Sequence, residues 1–154
     1  MAMGQWKRER QPELWIATQD VVQTTRHVFY ERLNQLLAQA GFDDWLEELC
    51  RSHYAENGRT SISPGLYFRM LMVGYFEAID SQRGIAWRCA DSASLKSFLG
   101  IAIHEPTPDH SSLTRITARL PEEVYREAFA FVLQVLRVVG IFGCPASCHF
   151  SFST

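Results

Sequence analysis

The stretch SISPGLYFRMLMVGYFEAID, residues 61–80, decides the fold, because it contains the clearest helix start in the chain. Ser63 is suited to accept a backbone N–H hydrogen bond as the N-cap, and Pro64 suits the first helical position, where its missing N–H costs nothing. The pattern predicts a helix from Pro64 to about Ile79. This helix is apolar on nearly all sides, so we expect its neighbours to bury it at the centre of the fold.

Outward from this stretch, helix signals are abundant and strand signals are scarce. Over residues 14–40, apolar positions recur at a spacing of three to four, which predicts one amphipathic helix or two in series, ending at Gly41. Residues 42–54 predict a second, short acidic helix. We therefore predict an all-α, compact multi-helix domain of about six or seven helices.

After the central helix, the sequence predicts two short helices joined by tight, polar turns. Asp80 or Ser81 is expected to cap the first of them, QRGIAWRCA. Ser92 or Ser94 is expected to cap the second, LKSFL, which ends at Gly100. These helices would pack beside the central one.

Two more helices are predicted towards the C-terminal end. The connector 101–108, IAIHEPTP, reads as extended, because residues that precede proline disfavour the α conformation. Asp109 or Ser111 is then expected to cap a helix over 112–120. The last long helix is predicted over 121–139, with two glutamates in its first turn, where they favour the helix dipole.

The net charge is −2, which argues against indiscriminate nucleic-acid binding over the whole surface. Charge is unevenly distributed, however. Residues 59–120 contain seven Lys/Arg against five Asp/Glu, whereas the segments 1–58 and 121–154 are net negative. Six of the seven cations in the middle segment are arginines. A local basic face is therefore expected in 59–120.

Cysteine usage and the N-terminal residues predict a cytoplasmic protein with reduced thiols. The first residues, MAMGQWKRERQPE, show no apolar core of a secretory leader, and the four cysteines do not suggest a disulfide framework. The longest apolar run, 128–142, is interrupted by Gln134, Arg137 and Gly140. It falls short of the roughly 18 to 20 apolar residues that a membrane span needs, so we expect a buried helix and no membrane partner.

No catalytic or metal-binding constellation emerges from the residues. Cys144, Cys148 and His149 are close in sequence, but a closed zinc site needs four ligands and usually a second ligand pair, so no metal site is predicted. Cys89 falls on a predicted helix and reads as a small buried thiol. The adjacent residues 109–111, Asp-His-Ser, cannot converge as a hydrolase triad, and capping explains them better.

DNA binding by a helix-turn-helix-like unit is the candidate function that remains. Such a unit places one helix in the major groove, while neighbouring helices contact the DNA backbone. The segment 64–120 offers a buried helix, short helices with tight turns, and a helix rich in Ser, Thr and Arg. Phosphate and base contacts are expected there from Ser111, Ser112, Thr114, Arg115 and Arg119.

The block SISPGLYFRMLMVGYFEAIDSQRGIAWRCADSASLKSFLGI, followed by EPTPDHSSLTRITARLP, resembles the N-terminal domain of bacterial insertion-sequence transposases of the DDE class. That family has a proline-started apolar helix, an S-x-R-x-I/L helix, F-L-G, and then P-D-H-S-S/T-L-x-R-x-x-x-R-L. The resemblance covers roughly residues 59–140. The matching positions are Pro64, Ser81, Arg83, Ile85, Phe98, Leu99, Gly100, Pro108, Asp109, His110, Ser111, Ser112, Leu113, Arg115, Arg119 and Leu120.

The resemblance implies a helical domain that helps to recognise the terminal inverted repeats of the element as double-stranded DNA. In such enzymes a separate ribonuclease-H-like domain downstream holds three carboxylates and two divalent metals, so no cofactor is expected in this chain. Because no Asp or Glu follows Glu127, we expect a copy truncated before that domain and not catalytic alone. The predicted organisation is an N-terminal helical preamble (1–58), a DNA-recognition domain (59–140) and an aberrant, disordered tail (141–154).

Eight side chains are predicted to contact DNA, and two other functions remain open. One alternative is a helical oligomerisation module of the transposase, and the other is a truncated regulator that inhibits the full enzyme. The faces of the last helix, 121–139, are mostly apolar and are expected to be exposed, to pair with another copy, or to collapse onto Phe142 and Phe150, so we predict poor solubility or self-association. The predicted contacts are Arg83, Arg88, Lys96, Ser111, Ser112, Thr114, Arg115 and Arg119.

Overall fold

A computed structural model describes residues 28–54 and 61–138 of the chain. Those residues form seven α-helices and no strand, which confirms the all-α prediction. The earlier part of the predicted helix 14–40 and the predicted tail, 141–154, lie outside the described residues. The helices are α1 (Val28–Gln39), α2 (Phe42–Cys50), α3 (Pro64–Phe76), α4 (Gln82–Ala90), α5 (Ala93–Leu99), α6 (His110–Thr117) and α7 (Glu122–Val138), with a 3₁₀ turn (Arg51–His53) after α2.

The central helix α3 begins as predicted. Ser63 Oγ accepts the backbone N–H of Leu66 at 3.4 Å, and Pro64 occupies the first turn. Nine of its thirteen residues are buried, so it forms the middle of the core. None of the helices in 28–54 and 61–138 is both long enough and apolar enough to cross a bilayer.

Helix α3 ends at Phe76, three residues before the predicted end. Ala78 adopts a left-handed conformation with φ of 54°, and the N–H of Ile79 donates to the carbonyl of Gly74 at 2.8 Å. The N–H of Ala78 reaches the carbonyl of Tyr75 at 3.4 Å, which completes a Schellman motif. The prediction missed this end because glycine or asparagine, not alanine, normally marks the left-handed position.

Two candidate N-caps were predicted for each of the next three helices, and in the structure one of the two caps each helix. Ser81, Ser92 and Asp109 accept backbone N–H groups at the starts of α4, α5 and α6, and Gly100 closes α5 with φ of 71°. The predicted helix 112–120 differs at both ends, since α6 begins two residues earlier and stops at Thr117. It cannot continue through 120, because that residue precedes a proline and is pushed out of the α region.

Two glycines allow α3 to approach its neighbours closely. A Cβ on Gly74 would lie 2.5 Å from Cδ1 of Ile85 in α4, and a Cβ on Gly65 would overlap the Asp43 carboxylate of α2. The absence of these side chains lets the three helices pack with small separations.

A buried ion pair joins α3 to α2. Arg69, which is 8 % exposed, donates to both carboxylate oxygens of Asp43, at 2.5 and 2.9 Å. It also donates to the side-chain oxygen of Asn34 at 3.1 Å and to the carbonyl of Gly65 at 3.2 Å. The hydrogen bonds from Arg69 hold the pKa of the Asp43 carboxyl below its usual range. Because the carboxylate is stabilised by its partner, the pair stays charged.

Residues on both sides of the predicted boundary at 58 contribute to one hydrophobic core. Leu33, Leu37, Phe42 and Leu46 of α1 and α2 are fully buried. They belong to the same cluster as the buried residues of α3 to α7. The boundary itself stays a prediction, but the described helices on either side of it pack together.

Helix α7 is amphipathic, whereas the sequence pattern predicted a helix that is apolar on most faces. Its buried residues, Val124, Ala128, Val132 and Leu136, recur every four positions and face the core. Phe131 stacks on Trp45 of α2, with ring centroids 4.6 Å apart. The prediction was based on the apolar residues of the helix itself and did not include the residues of α1 and α2 that pack against them. Of the large apolar residues within α7, only Leu133 and Val138 remain exposed, while Phe129, Phe131 and Val135 are half-buried.

Candidate nucleic-acid interface

Helix α6 is fixed by its cap and by its apolar face. Asp109 accepts the backbone N–H of Ser112 at 2.9 Å and the hydroxyl of Ser111 at 3.0 Å. The hydrogen bond from the Ser112 backbone, together with those from nearby hydroxyls, lowers the pKa of Asp109. Leu113 and Ile116 are buried, so the opposite side of the helix faces solvent. The residues 109–111 therefore cap and shape α6, as predicted.

Uncharged side chains join α6 to α4, and we call this contact the α6 seam: Gln82 with Thr114 and Thr117. The Thr114 hydroxyl lies 2.5 Å from Oε1 of Gln82, and Nε2 of Gln82 donates to Oγ1 of Thr117 at 2.8 Å. Both ends of one amide are thus engaged by two positions one turn apart. This double contact fixes how α6 is rotated against α4.

The α6 seam continues into the core through two tyrosines. The Tyr67 hydroxyl lies 2.8 Å from Oγ1 of Thr117 and 2.9 Å from the hydroxyl of Tyr125 in α7. Burial raises the pKa of Tyr67. The chain of hydrogen bonds therefore links α4, α6, α3 and α7. No local sequence signal identifies these partners, because Tyr67 and Thr117 are 50 residues apart.

Arg83 and Arg115 are the predicted contacts that are most available to a ligand. Both side chains are exposed, and within the described part of the chain neither has a hydrogen bond or an ion pair. They follow Gln82 and Thr114, the residues bonded to each other across the α6 seam. The seam thus brings the backbone positions of these two arginines close together.

Trp87 is a further exposed side chain on α4, and sequence reasoning did not single it out. It lies one turn after Arg83 and is 71 % exposed. Large aromatic residues are usually well buried, so an exposed tryptophan beside an unpaired arginine extends the surface available for contact.

Arg88, by contrast, is held within the protein. Its Nε lies 2.5 Å from Oε2 of Glu77 and its Nη2 lies 3.2 Å from Oε1. The Tyr30 hydroxyl donates to the same Oε1 at 3.1 Å. Glu77 comes from the end of α3, so the guanidinium ties α4 to α3 and is not a free cation.

Lys96 is also engaged internally. Its ammonium group donates to the carbonyls of Ile103 and Glu105, at 3.0 and 2.8 Å. These carbonyls belong to the connector between α5 and α6. The predicted contact residue therefore ties the connector to α5.

The three predicted hydroxyl contacts mainly shape α6. Ser111 donates to Asp109, Ser112 supplies its backbone N–H to the same carboxylate, and Thr114 bonds Gln82 and the carbonyl of His110. Among the three, Thr114 alone is exposed. The hydroxyls therefore orient the helix whose arginine faces outward.

Arg119 lies in the turn between α6 and α7 and is exposed. Its guanidinium carbon is 5.1 Å from the ring centroid of Tyr54, at the end of the turn that follows α2. This is a cation–π contact between segments that are far apart in sequence. The described residues thus hold Arg119 beside the α6 surface without a carboxylate partner.

The structure also describes the residues considered for a metal site and for a reactive thiol, in part. No group of three or more His, Cys, Asp or Glu side chains in 28–54 and 61–138 is arranged to hold a metal. Cys89 is fully buried, as predicted, and burial raises the pKa of its thiol to about 12. Cys144, Cys148 and His149 lie outside the described residues.

Comparison with known families places the chain beside a transposase domain. A family model described as a transposase domain (DUF772) matches residues 18–119. The match spans both sides of residue 58 and ends in the turn after α6. No curated protein and no solved structure matches the chain.

Proposed function

The chain belongs to this transposase-domain family, and we propose that it binds double-stranded DNA at the ends of a mobile element through α6. The observation that carries the proposal is the placement of Arg83 and Arg115. Two exposed guanidinium groups without carboxylate partners flank one hydrogen-bonded seam between two helices. Unpaired arginines on a small surface are suited to DNA phosphates and to guanine edges.

The arrangement fits a helix-turn-helix-like mode of binding. Helix α6 is anchored from below by Leu113 and Ile116 and from the side by Gln82, which leaves Arg115 pointing outward. Arg115 would face the major groove, while Arg83 and Arg119 would contact phosphates on either side. Arg88 and Lys96 support this surface from inside, so we do not assign them to DNA.

In this proposal the described helices recognise DNA. In the DDE-class transposases that the chain resembles, strand cleavage belongs to a separate domain, whose carboxylates bind the divalent metals.

The test is a mobility-shift titration on duplexes that carry the terminal repeats flanking the gene, with a scrambled duplex for comparison. Arg115→Gln should weaken binding and reduce the preference for the terminal-repeat duplex over the scrambled one, whereas Arg83→Gln should weaken binding to both duplexes and reduce the salt slope by about 1. Arg137→Gln is the matched control, because it removes an exposed arginine from α7, away from the α6 seam. No shift by the unaltered chain at low salt, or equally weakened binding in Arg137→Gln, would contradict the proposal.

A second candidate function is association between copies of the chain, and a groove beside α7 favours it. The groove, of about 380 Å³, lies between the end of α1 and the end of α7, and its lining carries no charge. Val138 at its rim is 82 % exposed, and Leu133 on the same helix is 39 % exposed. The lining residues are Leu36, Gln39, Ala40, Phe131, Gln134, Val135 and Val138.

Light scattering at micromolar concentration tests this association. An apolar interface should persist as salt rises, whereas DNA binding through arginines should weaken. Val138→Glu with Leu133→Glu should return the chain to a monomer. A monodisperse monomer before any substitution would contradict the second candidate and leave the DNA proposal unaffected.

A further inference from the structure

Tyr54 and Arg119 form a contact between two turns of the described fold that are 65 positions apart. Tyr54 follows the 3₁₀ turn after α2, whereas Arg119 lies in the turn after α6, where its backbone N–H donates to the carbonyl of Ile116 at 2.9 Å. The guanidinium carbon is 5.1 Å from the Tyr54 ring centroid. That separation is within the roughly 6 Å over which a cation is attracted to an aromatic face.

The Tyr54 hydroxyl makes no hydrogen bond to Arg119. Its oxygen is buried and has no hydrogen-bond partner among the described residues, and the removal of water by burial raises the pKa of Tyr54 to about 12. A buried hydroxyl without a partner is unfavourable. The ring face, not the hydroxyl, is therefore the part that acts on Arg119.

Arg119 remains able to donate while it rests on the ring. The five N–H donors of a guanidinium lie in its plane, so a contact with the face of the ring leaves them for other acceptors. In the described part of the chain the Arg119 side chain has no carboxylate partner and no hydrogen bond. The contact restricts a long side chain without using its donors, which reduces the entropy cost of binding.

We propose that Tyr54 is a positioning residue for DNA binding, whose ring holds the Arg119 guanidinium where it donates to a backbone phosphate. This inference rests on the proposed function and adds a residue from outside the α4–α6 surface. It also gives α2 a part in recognition, since α2 and its 3₁₀ turn place Tyr54 beneath the arginine.

The test is a double-mutant cycle on the full chain, with the terminal-repeat duplex as the probe. Tyr54→Phe keeps the ring and should bind as the unaltered chain does. Tyr54→Leu removes the aromatic face and should weaken binding by about 2- to 5-fold. In an Arg119→Gln background, Tyr54→Leu should have no further effect, because the residue it positions is already gone.

The same set of variants shows whether Tyr54→Leu acts on folding instead of on the position of Arg119. Tyr54→Phe should be at least as stable as the unaltered chain, and binding is compared at a temperature where every variant has the same far-ultraviolet circular dichroism. A general loss of structure in Tyr54→Leu would weaken binding equally with and without Arg119. That outcome would overturn the inference.

The remaining outcomes separate this inference from the proposed function. If Arg115→Gln weakens binding while Tyr54→Leu does not, the inference fails and the proposed function stands. If the unaltered chain shifts no duplex at low salt, the proposed function fails and the inference fails with it. If Tyr54→Leu weakens binding in the otherwise unaltered chain but not in the Arg119→Gln background, both the inference and the proposed function are supported.

Discussion

Two contact regions of the bundle use polar residues in opposite ways. In the contacts of α3 with α2 and α4, which we call the α3 seam, arginines are paired: Arg69 with Asp43, and Arg88 with Glu77. In the α6 seam, uncharged groups make the contact, and the adjacent Arg83 and Arg115 stay unpaired.

The paired arginines are therefore expected to act in stability, and the unpaired arginines in DNA binding. A guanidinium that is paired with a carboxylate ties helices together, whereas a guanidinium left in solvent is available to another molecule. Substitutions in the α3 seam should therefore lower the free energy of unfolding. Substitutions beside the α6 seam should lower DNA affinity with little effect on folding.

The largest effect is expected at Arg69. Arg69→Met removes the buried partner of Asp43 and the donors to Asn34 and Gly65, which should lower the free energy of unfolding by about 3 kcal/mol. This is at the low end for a buried pair, because the Asp43 side chain is half exposed and can regain water. Urea denaturation measures the change. Arg83→Met is the control and should change stability by less than about 0.5 kcal/mol.

The same pair predicts a dependence on pH. The pKa of Asp43 is lower in the folded chain, held down by the hydrogen bonds from Arg69, than the value of about 3.9 expected when unfolded. Its contribution is therefore complete above the unfolded pKa and is lost as pH falls through the folded one. The difference in stability between the unaltered chain and Arg69→Met should narrow in acid. A difference that stays constant on acidification would argue against the ion pair as its cause.

A smaller destabilisation is expected when the approach of α3 to α4 is blocked. Gly74→Ala places a Cβ 2.5 Å from Cδ1 of Ile85 and 3.1 Å from the carbonyl of Ile79, and should cost about 2 kcal/mol. Adding Ile85→Val removes the Cδ1 atom and should recover part of the stability in thermal denaturation. No recovery would mean that the contacts that remain, with Cγ1 of residue 85 at 2.9 Å and with the Ile79 carbonyl at 3.1 Å, limit the approach.

Arg88 and Arg83 both lie on α4, so their variants compare a paired arginine with an unpaired one within a single helix. Arg88→Met leaves Glu77 without its ion-pair partner and should cost about 1 kcal/mol, because the pair is only partly exposed. Its binding to the terminal-repeat duplex should be unchanged. Arg83→Met should show the reverse, with weaker binding at unchanged stability. If both variants bound DNA equally weakly, the distinction between paired and unpaired arginines would not hold.

The smallest effect concerns the end of α3. Ala78 holds a left-handed conformation that suits glycine better, so Ala78→Gly should raise the free energy of unfolding by about 0.5 to 1 kcal/mol. Ala130→Gly, on the exposed side of α7, is the matched control and should lower it by about 1 kcal/mol. Thermal denaturation of the two variants in parallel should move the melting temperature in opposite directions.

Local signals in the sequence predicted the starts of the helices well. Ser63, Ser81, Ser92 and Asp109 each cap a helix, because an N-cap depends on a side chain and an N–H group two or three residues later. Ends were less predictable. The end of α3 depends on the strained residue Ala78, which carries no sequence signal of its own.

The candidate site was only partly predictable, because its exposure and pairing depend on distant residues. Nothing near Arg88 shows that Glu77 meets it, and nothing near Arg119 indicates Tyr54, which is 65 positions earlier. The residue types and the helix that carries them could be predicted from sequence. Which arginines remain free could not, since that is decided by the packing of α3, α4 and α2.

The position of α7 has a practical consequence for dissecting this protein. The family match ends at 119, but Val124, Ala128, Val132 and Leu136 fill the core and Tyr125 closes the chain of hydrogen bonds from Gln82. A fragment cut at the end of the match would expose the apolar surface that these side chains cover. The smallest unit expected to fold independently therefore extends past the match to the end of α7, and homology alone is a poor guide to where to cut.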